Sequence, residues 1–266
     1  MNAGRANPRW LAGIGTVLVA TIVSFSGAAQ QVGRATLQLP VLTAPAWVPE
    51  DPLASAYPIP WRWVWSIQTQ AQRTRRPIWS VAQSPTLISP DGRYRAFSRV
   101  QVIARQDYTR TQVSSTLYIH SSRGSPPIVL QPVGQPRQPE PGQIWVLVPV
   151  SWSADGKQLL VRQVFGWFGS SEISDSALVW QGEGQRARIV TPQAVAYTHA
   201  LLLGWSRETP TRILFETRIL GLERPSRWQV DLDGLTLAVR SEDTPVTYGV
   251  AQGTTWTMLD YRPLRH

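Results

Sequence analysis

The chain has 266 residues, of which 42% are hydrophobic, and a formal net charge of +9. That hydrophobic fraction can supply a core and excludes a disordered chain, while the frequent proline, glycine and tryptophan favour strands and turns over a helical bundle. The chain has no cysteine, which excludes disulfides, iron–sulfur clusters, cysteine-bound zinc and a thiol nucleophile.

The N-terminal residues have the features of an export signal. Arg5 and Arg9 precede a run, residues 10–33, that carries no charge, and residues 26–29 are all small. A basic start, an apolar stretch and a small-residue site are typical of a signal peptide, and the run is also long enough to span a bilayer. We therefore expect residues 1–29 to be a cleaved signal peptide or an uncleaved membrane anchor, with the rest of the chain exported.

Residues 30–60 are rich in proline, which fixes φ and removes a backbone donor. We expect an extended tether that holds the folded domain, residues 61–266, away from the membrane or runs across the surface of that domain. The domain begins with Trp61, Trp63 and Trp65, whose spacing of two places the three indoles on one face of a predicted strand. That strand is expected either to pack against the core or to offer an aromatic platform to a sugar or a membrane surface.

From residue 79 onward one pattern occurs three times. Its first two copies carry an Asp-Gly pair between apolar runs, at Asp91-Gly92 and Asp155-Gly156, whereas the third copy, residues 203–215, has an altered turn. Glycine tolerates positive φ and aspartate bonds its own backbone, so each pair predicts a tight hairpin. Further strand-like runs follow each copy, which predicts a four-stranded antiparallel meander repeated three times. Two tryptophans that precede the turns are expected in the core: Trp152 and Trp205.

Two of these segments carry a resemblance to a known family. Residues 87–98 read LISPDGRYRAFS and residues 150–161 read VSWSADGKQLLV, and both resemble the W-S-P-D-G-K repeat of TolB-type (PD40, WD40-like) β-propellers. The resemblance spans residues 79–245 and implies an all-β fold of antiparallel meanders arranged as a small or partial propeller. The chain is also similar, over residues 149–165 and 201–206, to uncharacterised cyanobacterial envelope proteins, which implies the periplasm or the thylakoid lumen.

Ring closure is the point at which the sequence departs from that family. Propellers close with four to eight blades, and the sequence offers three clear ones. A fourth blade is expected from residues 248–258 together with residues 78–81 and the predicted strand at residues 61–65, so that both ends of the chain close the ring. The alternative is a partial propeller that forms a homodimer.

The loops opposite the Asp-Gly turns are the expected binding face, because scaffolds place binding groups on loops. Trp167 and Phe168 lie between two glycines in one such loop, and we expect them to be exposed, close to the crossover 132–142, and to anchor a protein partner. The alternative is that both fold back and cap the ring. Four further residues are expected to form a cationic, hydrogen-bonding rim on this face: Arg105, Tyr108, Arg110 and Arg224.

No catalytic signature is present in the sequence. The histidines His120, His199 and His266 are scattered, no G-x-S-x-G elbow exists, and residues 231–234 lack the ligands of a calcium loop. We therefore expect no catalytic residue, metal or cofactor and no nucleic-acid partner.

The function that the sequence favours is an exported, membrane-tethered, propeller-like scaffold that binds a protein partner in an envelope or thylakoid complex. The alternative is an envelope carbohydrate-binding protein or hydrolase that uses the tryptophan-rich strand or the ring centre. A pair of carboxylates for sugar hydrolysis stays open at this point, because the distance between two acids is a property of the folded chain.

Overall fold

The computed structural model describes residues 43–264 except five: Glu183, Gln185, Glu223, Arg240 and Ser241. The predicted export segment, residues 1–29, and residues 30–42 of the predicted tether lie outside the described residues. All described residues belong to one compact unit, Leu39–His266. None of the helices within this part of the chain combines the length and apolarity needed to cross a bilayer.

One α-helix, α1, precedes a series of short strands in the described residues. The helix is Trp61–Thr74, and the strands are β1 Ile78–Gln83, β2 Thr86–Ile88, β3 Tyr94–Ala104, β4 Gln112–Ser121, β5 Ile128–Leu130, β6 Gln143–Trp152, β7 Gln158–Trp167, β8 Ile173–Gln181, β9 Arg186–Val190, β10 His199–Ser206, β11 Ile213–Arg218, β12 Ser226–Val230, β13 Thr236–Ala238, β14 Pro245–Val246, β15 Val250–Gln252 and β16 Thr257–Pro263. The predominance of strand that the sequence predicts is confirmed.

Most strands pair antiparallel with the next strand in chain order. They form a first meander from β2 to β5, a second from β6 to β9 and a third from β10 to β13. A short parallel pairing of β4 with β6, at Val113–Ile144 and Ser114–Trp145, joins the first two meanders into one sheet. The third meander and β14 form a separate sheet, and neither sheet of the described residues closes into a barrel.

The C-terminal segment, residues 245–263, contacts all three meanders in turn. β14 pairs with β10, Tyr248 bridges to Trp152 at the end of β6, and β15 pairs with β2. β16 then pairs with β1, whose other edge pairs with β3. The two ends of the domain therefore meet, but the fourth blade expected from residues 248–258 is wrong, because these residues extend the sheet of the first meander instead.

The second meander lies between the other two, and its strands bury both faces. Successive side chains of a strand point to opposite faces. Leu159 and Val161 accordingly join a core cluster with the first meander, whereas Leu160 joins a cluster with the third. Trp152 and Trp205 are fully buried, one in each cluster, as the sequence predicted.

The strand predicted at residues 61–65 is wrong, because these residues begin helix α1. Its buried side chains include Trp61, Val64, Ile67 and Ala71, which follow the spacing of a helical face. This face packs in a third core cluster against the buried side of β1, β3, β4, β6 and β7. The helix ends at Arg75, which adopts a left-handed conformation with φ of 54°.

Residues 43–60, the described part of the predicted tether, pack into the domain. Val48 and Ile59 are buried in the same cluster as α1. The carboxylate of Asp51 accepts hydrogen bonds from the backbone N–H groups of Ser55 (3.2 Å) and Ile59 (3.0 Å). The tether prediction is therefore corrected over these residues, which are an integral part of the domain.

Asp51 also belongs to a buried ionic cluster with Arg162 of β7 and Asp175 of β8. Arg162 Nη1 donates to Asp51 Oδ2 (2.7 Å), and its Nε donates to Asp175 Oδ2 (2.8 Å). Burial alone would lower the pKa of Arg162, but the two carboxylates raise it, so the guanidinium stays charged. Burial raises the pKa of Asp175 above its ordinary value by more than Arg162 and the N–H of Leu202 lower it, and the negative charge of Asp51 adds to the rise. The cluster ties the N-terminal segment to the second meander.

Both Asp-Gly turns form as predicted. Gly92 and Gly156 have φ of 70° and 71°, and each donates its N–H to a serine carbonyl three residues earlier at 2.9 Å. In both turns that serine's Oγ donates to the aspartate Oδ1 at 2.6 Å. The same carboxylate oxygen accepts the backbone N–H of Arg93 (3.0 Å) or Lys157 (3.1 Å). We call the end of the sheets that carries residues 89–94, 153–158 and 206–212 the turn end.

The third turn obtains its carboxylate from a distant residue. Asp243 accepts hydrogen bonds from Ser206 Oγ (2.7 Å) and from the backbone N–H groups of Arg207 (3.0 Å) and Glu208 (3.2 Å). Burial would raise the pKa of Asp243, but these hydrogen bonds and one from Gln229 lower it. The altered third copy therefore keeps the serine, lacks the turn glycine and obtains its acid from a distant residue.

Candidate binding site at the loop end

The loops at the end opposite the turn end, which we call the loop end, contact one another in a row. A Cβ added at Gly142, in the crossover 132–142, would collide with the carbonyl oxygen of Thr109. The N–H of Phe168 donates to the carbonyl of Gly142 at 2.7 Å. Farther along, a nitrogen of the His199 ring lies 2.8 Å from the carbonyl oxygen of Ser171. The predicted proximity of residues 167–168 to the crossover is thus confirmed.

The exposure predicted for the aromatic pair in that loop is wrong. Phe168 is only 3% exposed, and Trp167 is half-buried. The ring of Phe168 lies 5.3 Å from that of Trp61 and 4.7 Å from that of Trp65, so it is buried against helix α1. These tryptophans were assigned to a strand from the sequence, so the surface that covers Phe168 was not foreseen. Phe168 is therefore a core residue and is withdrawn as a partner anchor.

Three arginines converge at the loop end in a cleft of about 490 Å³, which we call the cationic cleft. Arg75 comes from the end of α1, while Arg105 and Arg110 come from the loop between β3 and β4. Within the described part of the chain, none of the three forms an ion pair with an acidic side chain. The remaining lining residues are Pro77, Gln106 and Asp107.

Local hydrogen bonds fix the backbone of the β3–β4 loop. Gln68 of α1 donates its Nε2 to the carbonyl of Arg105 at 2.9 Å, and the N–H of Arg105 donates to Thr111 Oγ1 at 3.3 Å. Asp107 Oδ1 accepts both the N–H (3.0 Å) and the Oγ1–H (2.7 Å) of Thr109. Because Asp107, the one acid among the described residues that line the cleft, is engaged by its own loop, the guanidinium groups face solvent with a surplus of positive charge. Such a cleft can bind a carboxylate or phosphate group.

The other two predicted rim residues lie outside the cationic cleft. Tyr108 is partly exposed and its ring covers Gly169, where an added Cβ would lie 2.6 Å from Tyr108 Cε2. Arg224 is exposed in the loop between β11 and β12, and it is not part of the cleft lining. In the sequence, Arg75 belongs to a basic stretch with Arg73 and Arg76, which predicts a solvated turn or a contact with anionic lipid headgroups or an acidic partner. The helix that carries Arg75 toward Arg105 was not foreseen.

A second groove, of about 360 Å³, runs along the outer face of β1, β3, β4 and β16. The guanidinium of Arg262 lies 4.2 Å from the ring centroid of Trp79, and that of Arg99 lies 5.2 Å from the ring centroid of Tyr118. Arg262 stacks on Trp79 without belonging to the lining, which includes several polar side chains: Arg99, Gln101, Ser114, Thr116, Gln131 and Asp260. We call this the outer-sheet groove; the polar or aromatic residues at every second position from Arg99 to Gln101 and from Ser114 to Tyr118 were the signal that could have revealed it.

The described residues contain no group of three or more histidine and acidic side chains that could hold a metal ion. Residues 231–234 form a hairpin turn, in which Asp231 Oδ1 accepts the N–H groups of Asp233 and Leu235 at 2.9 Å each. The acid with a raised pKa, Asp175, lies in the buried ionic cluster and not in either groove. No protein-family model matches this chain, and no curated protein matches it in sequence.

Proposed function

We propose that the protein is a membrane-tethered, propeller-like scaffold that binds an acidic segment of a partner protein in the cationic cleft. The observation that carries the proposal is the convergence of Arg75, Arg105 and Arg110 with no acidic side chain of the described residues paired to them. Three antiparallel meanders and two Ser-x-Asp-Gly turns support kinship with TolB-type propellers, in which the sheets are a scaffold and the loops bind. In this proposal the protein recognises a partner and performs no chemistry.

The cationic cleft favours a carboxylate-rich ligand for a physical reason. The positive charges lie on a half-open surface, so each contact is partly screened, and several must act together to give useful affinity. A flexible segment with consecutive acidic residues can engage all three arginines at once, whereas an isolated acidic side chain cannot. The affinity is therefore expected to fall steeply as salt concentration rises.

The test uses the full chain in detergent and a fluorescent polyglutamate peptide. Replacing Arg75, Arg105 and Arg110 together by glutamine is expected to weaken peptide binding by roughly tenfold or more, because several charge contacts are lost together. A neutral Ser-Gly peptide of the same length is expected not to bind.

The matched control neutralises three exposed arginines of the turn end, Arg95, Arg123 and Arg207, and so removes the same net charge. If the control variant lost binding as strongly as the cleft variant, general charge attraction would explain the result. That outcome, or a failure of the intact protein to bind the peptide at all, would overturn the proposal.

The outer-sheet groove supports a second candidate, the binding of an envelope carbohydrate. The alternative drawn from the sequence placed the sugar on the tryptophans at residues 61–65, and their burial in α1 removes that location. In the groove, aromatic rings and side chains with amide or hydroxyl groups suit sugar rings, and the arginines over Trp79 and Tyr118 favour an acidic sugar. Asp260 is the only carboxylate of its lining, so we retain binding and not hydrolysis, which needs two.

An oligogalacturonate titration separates this candidate from the first. Binding through the groove is expected to be lost in Arg99→Gln and kept in the cleft triple variant. Binding that survives Arg99→Gln would exclude the groove.

A further inference from the structure

The loop between β11 and β12 exposes an unusual amount of apolar surface. Leu220 is 71% exposed and Leu222 is 64% exposed, and Ile219 beside them is also exposed. We call Ile219, Leu220 and Leu222 the apolar tip. A single exposed leucine is common on protein surfaces, but three exposed apolar side chains within four residues, at the end of a hairpin, form a local apolar patch.

The apolar tip is held in place by hydrogen bonds. The N–H of Leu222 donates to the carbonyl of Ile219 at 3.0 Å, and Gly221 between them has a φ of 87°, which closes a tight turn. The N–H of Leu220 donates to Thr198 Oγ1 at 2.8 Å, and that hydroxyl in turn donates to the carbonyl of Arg218 at 3.1 Å. The backbone therefore presents the leucines outward in a fixed geometry, away from the domain's own core.

The residues around the apolar tip are of the kind found at lipid surfaces. Arg218, Arg224 and Arg227 flank it, and all three are exposed. Arg218 and Arg227 share one acid, Glu216, at 2.8 Å and 3.7 Å, so the three arginines keep an excess of positive charge over that acid. At the same end of the domain, Trp47 is 68% exposed, although its ring is fixed 5.0 Å from that of Trp65. Proteins that lie on anionic membranes place leucine and tryptophan at the boundary between headgroups and acyl chains, and arginine among the headgroups.

A continuous set of contacts places Trp47 and the apolar tip at the same end. Trp47 packs on Trp65, which packs on Phe168 in the β7–β8 loop. Ser171 of that loop contacts His199, whose neighbour Thr198 binds Leu220.

We propose that the apolar tip and Trp47 insert into the interfacial region of an anionic lipid bilayer, with Arg218, Arg224 and Arg227 at the level of the headgroups. This contact orients the domain so that the loop end faces the membrane and the turn end faces away. The cationic cleft lies at the same end and would also face the bilayer, but the inference rests on the apolar tip and Trp47 alone.

The experiment exploits the absence of cysteine from the chain. A single cysteine introduced by Leu220→Cys, or in a second variant by Leu222→Cys, carries an environment-sensitive fluorophore on the full-length protein. The protein is reconstituted into vesicles of phosphatidylcholine and phosphatidylglycerol that contain a lipid with a nitroxide near the headgroup. The matched control is Leu235→Cys, because Leu235 is a leucine of comparable exposure (56%) in the β12–β13 turn at the opposite end.

We expect the fluorophore at position 220 or 222 to shift to shorter wavelength in these vesicles and to lose roughly half of its emission to the lipid nitroxide. At position 235 no shift and no quenching are expected. Vesicles of phosphatidylcholine alone should give a smaller response at 220, because the arginines then lack anionic headgroups.

Two outcomes would overturn the inference. Equal responses at positions 220 and 235 would mean that the domain has no fixed orientation on the bilayer. A shift at 220 that depends on protein concentration and is insensitive to the lipid nitroxide would mean that a second copy of the chain covers the apolar tip. Peptide binding by the cationic cleft is measured in detergent without vesicles, so the two proposals fail separately.

Discussion

At the turn end each of the first two hairpins is stabilised by residues within the hairpin, whereas at the loop end the structure depends on residues far apart in the chain. Ser153 and Asp155 close their turn through a contact between residues two apart. Phe168, by contrast, is held by α1, about a hundred positions earlier in the chain. Local contacts form wherever the short motif occurs, but long-range contacts form only if the whole domain assembles. Substitutions at the two ends should therefore differ in how much stability they remove.

The largest effect is expected for Arg162→Met. This change leaves Asp51 and Asp175 buried without their shared cation, which should lower the free energy of unfolding by about 3–5 kcal/mol. Urea denaturation followed by tryptophan fluorescence measures it. Arg93→Met at the turn end removes an exposed pair with Asp91 and serves as the control, with little change expected. Equal effects of the two substitutions would mean that the buried cluster contributes nothing beyond a surface ion pair.

The second effect concerns the aromatic loop. Phe168→Ala removes a ring packed between two tryptophans and should cost about 3 kcal/mol, because a cavity opens beneath α1. Trp167→Ala, at a half-buried neighbour in the same loop, should cost clearly less. Thermal and urea unfolding of both variants test this order. A Phe168 variant as stable as the intact protein would contradict its assignment to the core.

The third effect compares equivalent acids of two turns. Asp243→Ala removes a buried carboxylate that accepts hydrogen bonds from Ser206, Gln229 and two backbone N–H groups, so a loss of about 2 kcal/mol is expected. Asp155→Ala, in an exposed turn with fewer donors, should cost less than about 1 kcal/mol. The urea midpoints of the two variants measure this difference in stability. A larger loss in Asp155→Ala than in Asp243→Ala would show that the distant acid is dispensable.

The smallest effect is a dependence on pH. The pKa values of Asp91, Asp155 and Asp243 are lowered in the folded chain by hydrogen bonds, although burial opposes this at each. A lowered folded pKa adds stability that is present above the unfolded value of about 4 and is lost as the pH falls below it. The contribution of these three acids to the free energy of unfolding should therefore decrease between about pH 5 and pH 3, whereas Asp175, whose pKa is raised, contributes in the opposite direction. This decrease should be shallower in Asp243→Asn, and an unchanged slope in that variant would contradict the role given to Asp243.

The parts of the fold that could be predicted are those encoded by short motifs. The Asp-Gly turns and the meanders follow from pairs and runs of adjacent residues, and Trp152 and Trp205 were correctly placed in the core. Helix α1 was missed because tryptophan at every second position matches a strand over five residues. The longer spacing of Trp61, Val64, Ile67 and Ala71 matches a helix and was the better signal.

The candidate site was only partly predictable for the same reason. Arg105 and Arg110 could be assigned to a binding loop because loops opposite the turns must share one end of a meander. Arg75 joins them only through α1, so its place in the cationic cleft depended on an element that the sequence did not reveal. Asp243, which lies just before β14, likewise takes the place of the turn acid, and no local sequence pattern indicates that exchange. The apolar tip was missed because its leucines resemble ordinary strand residues until the turn at Gly221 is known.

The pairing of the C-terminal segment with all three meanders has a consequence for how the chain folds. The Ser80 hydroxyl donates to the carbonyl of Asp260, which lies 180 residues later in the sequence. Pairing between residues so far apart in the sequence forms slowly, because a long loop must close before the first hydrogen bond between the strands can form. During synthesis, the edges of β10, β2 and β1 stay unpaired until β14, β15 and β16, in that order, have left the ribosome. Open strand edges attract other chains, so the incomplete domain is prone to aggregate until this segment has paired.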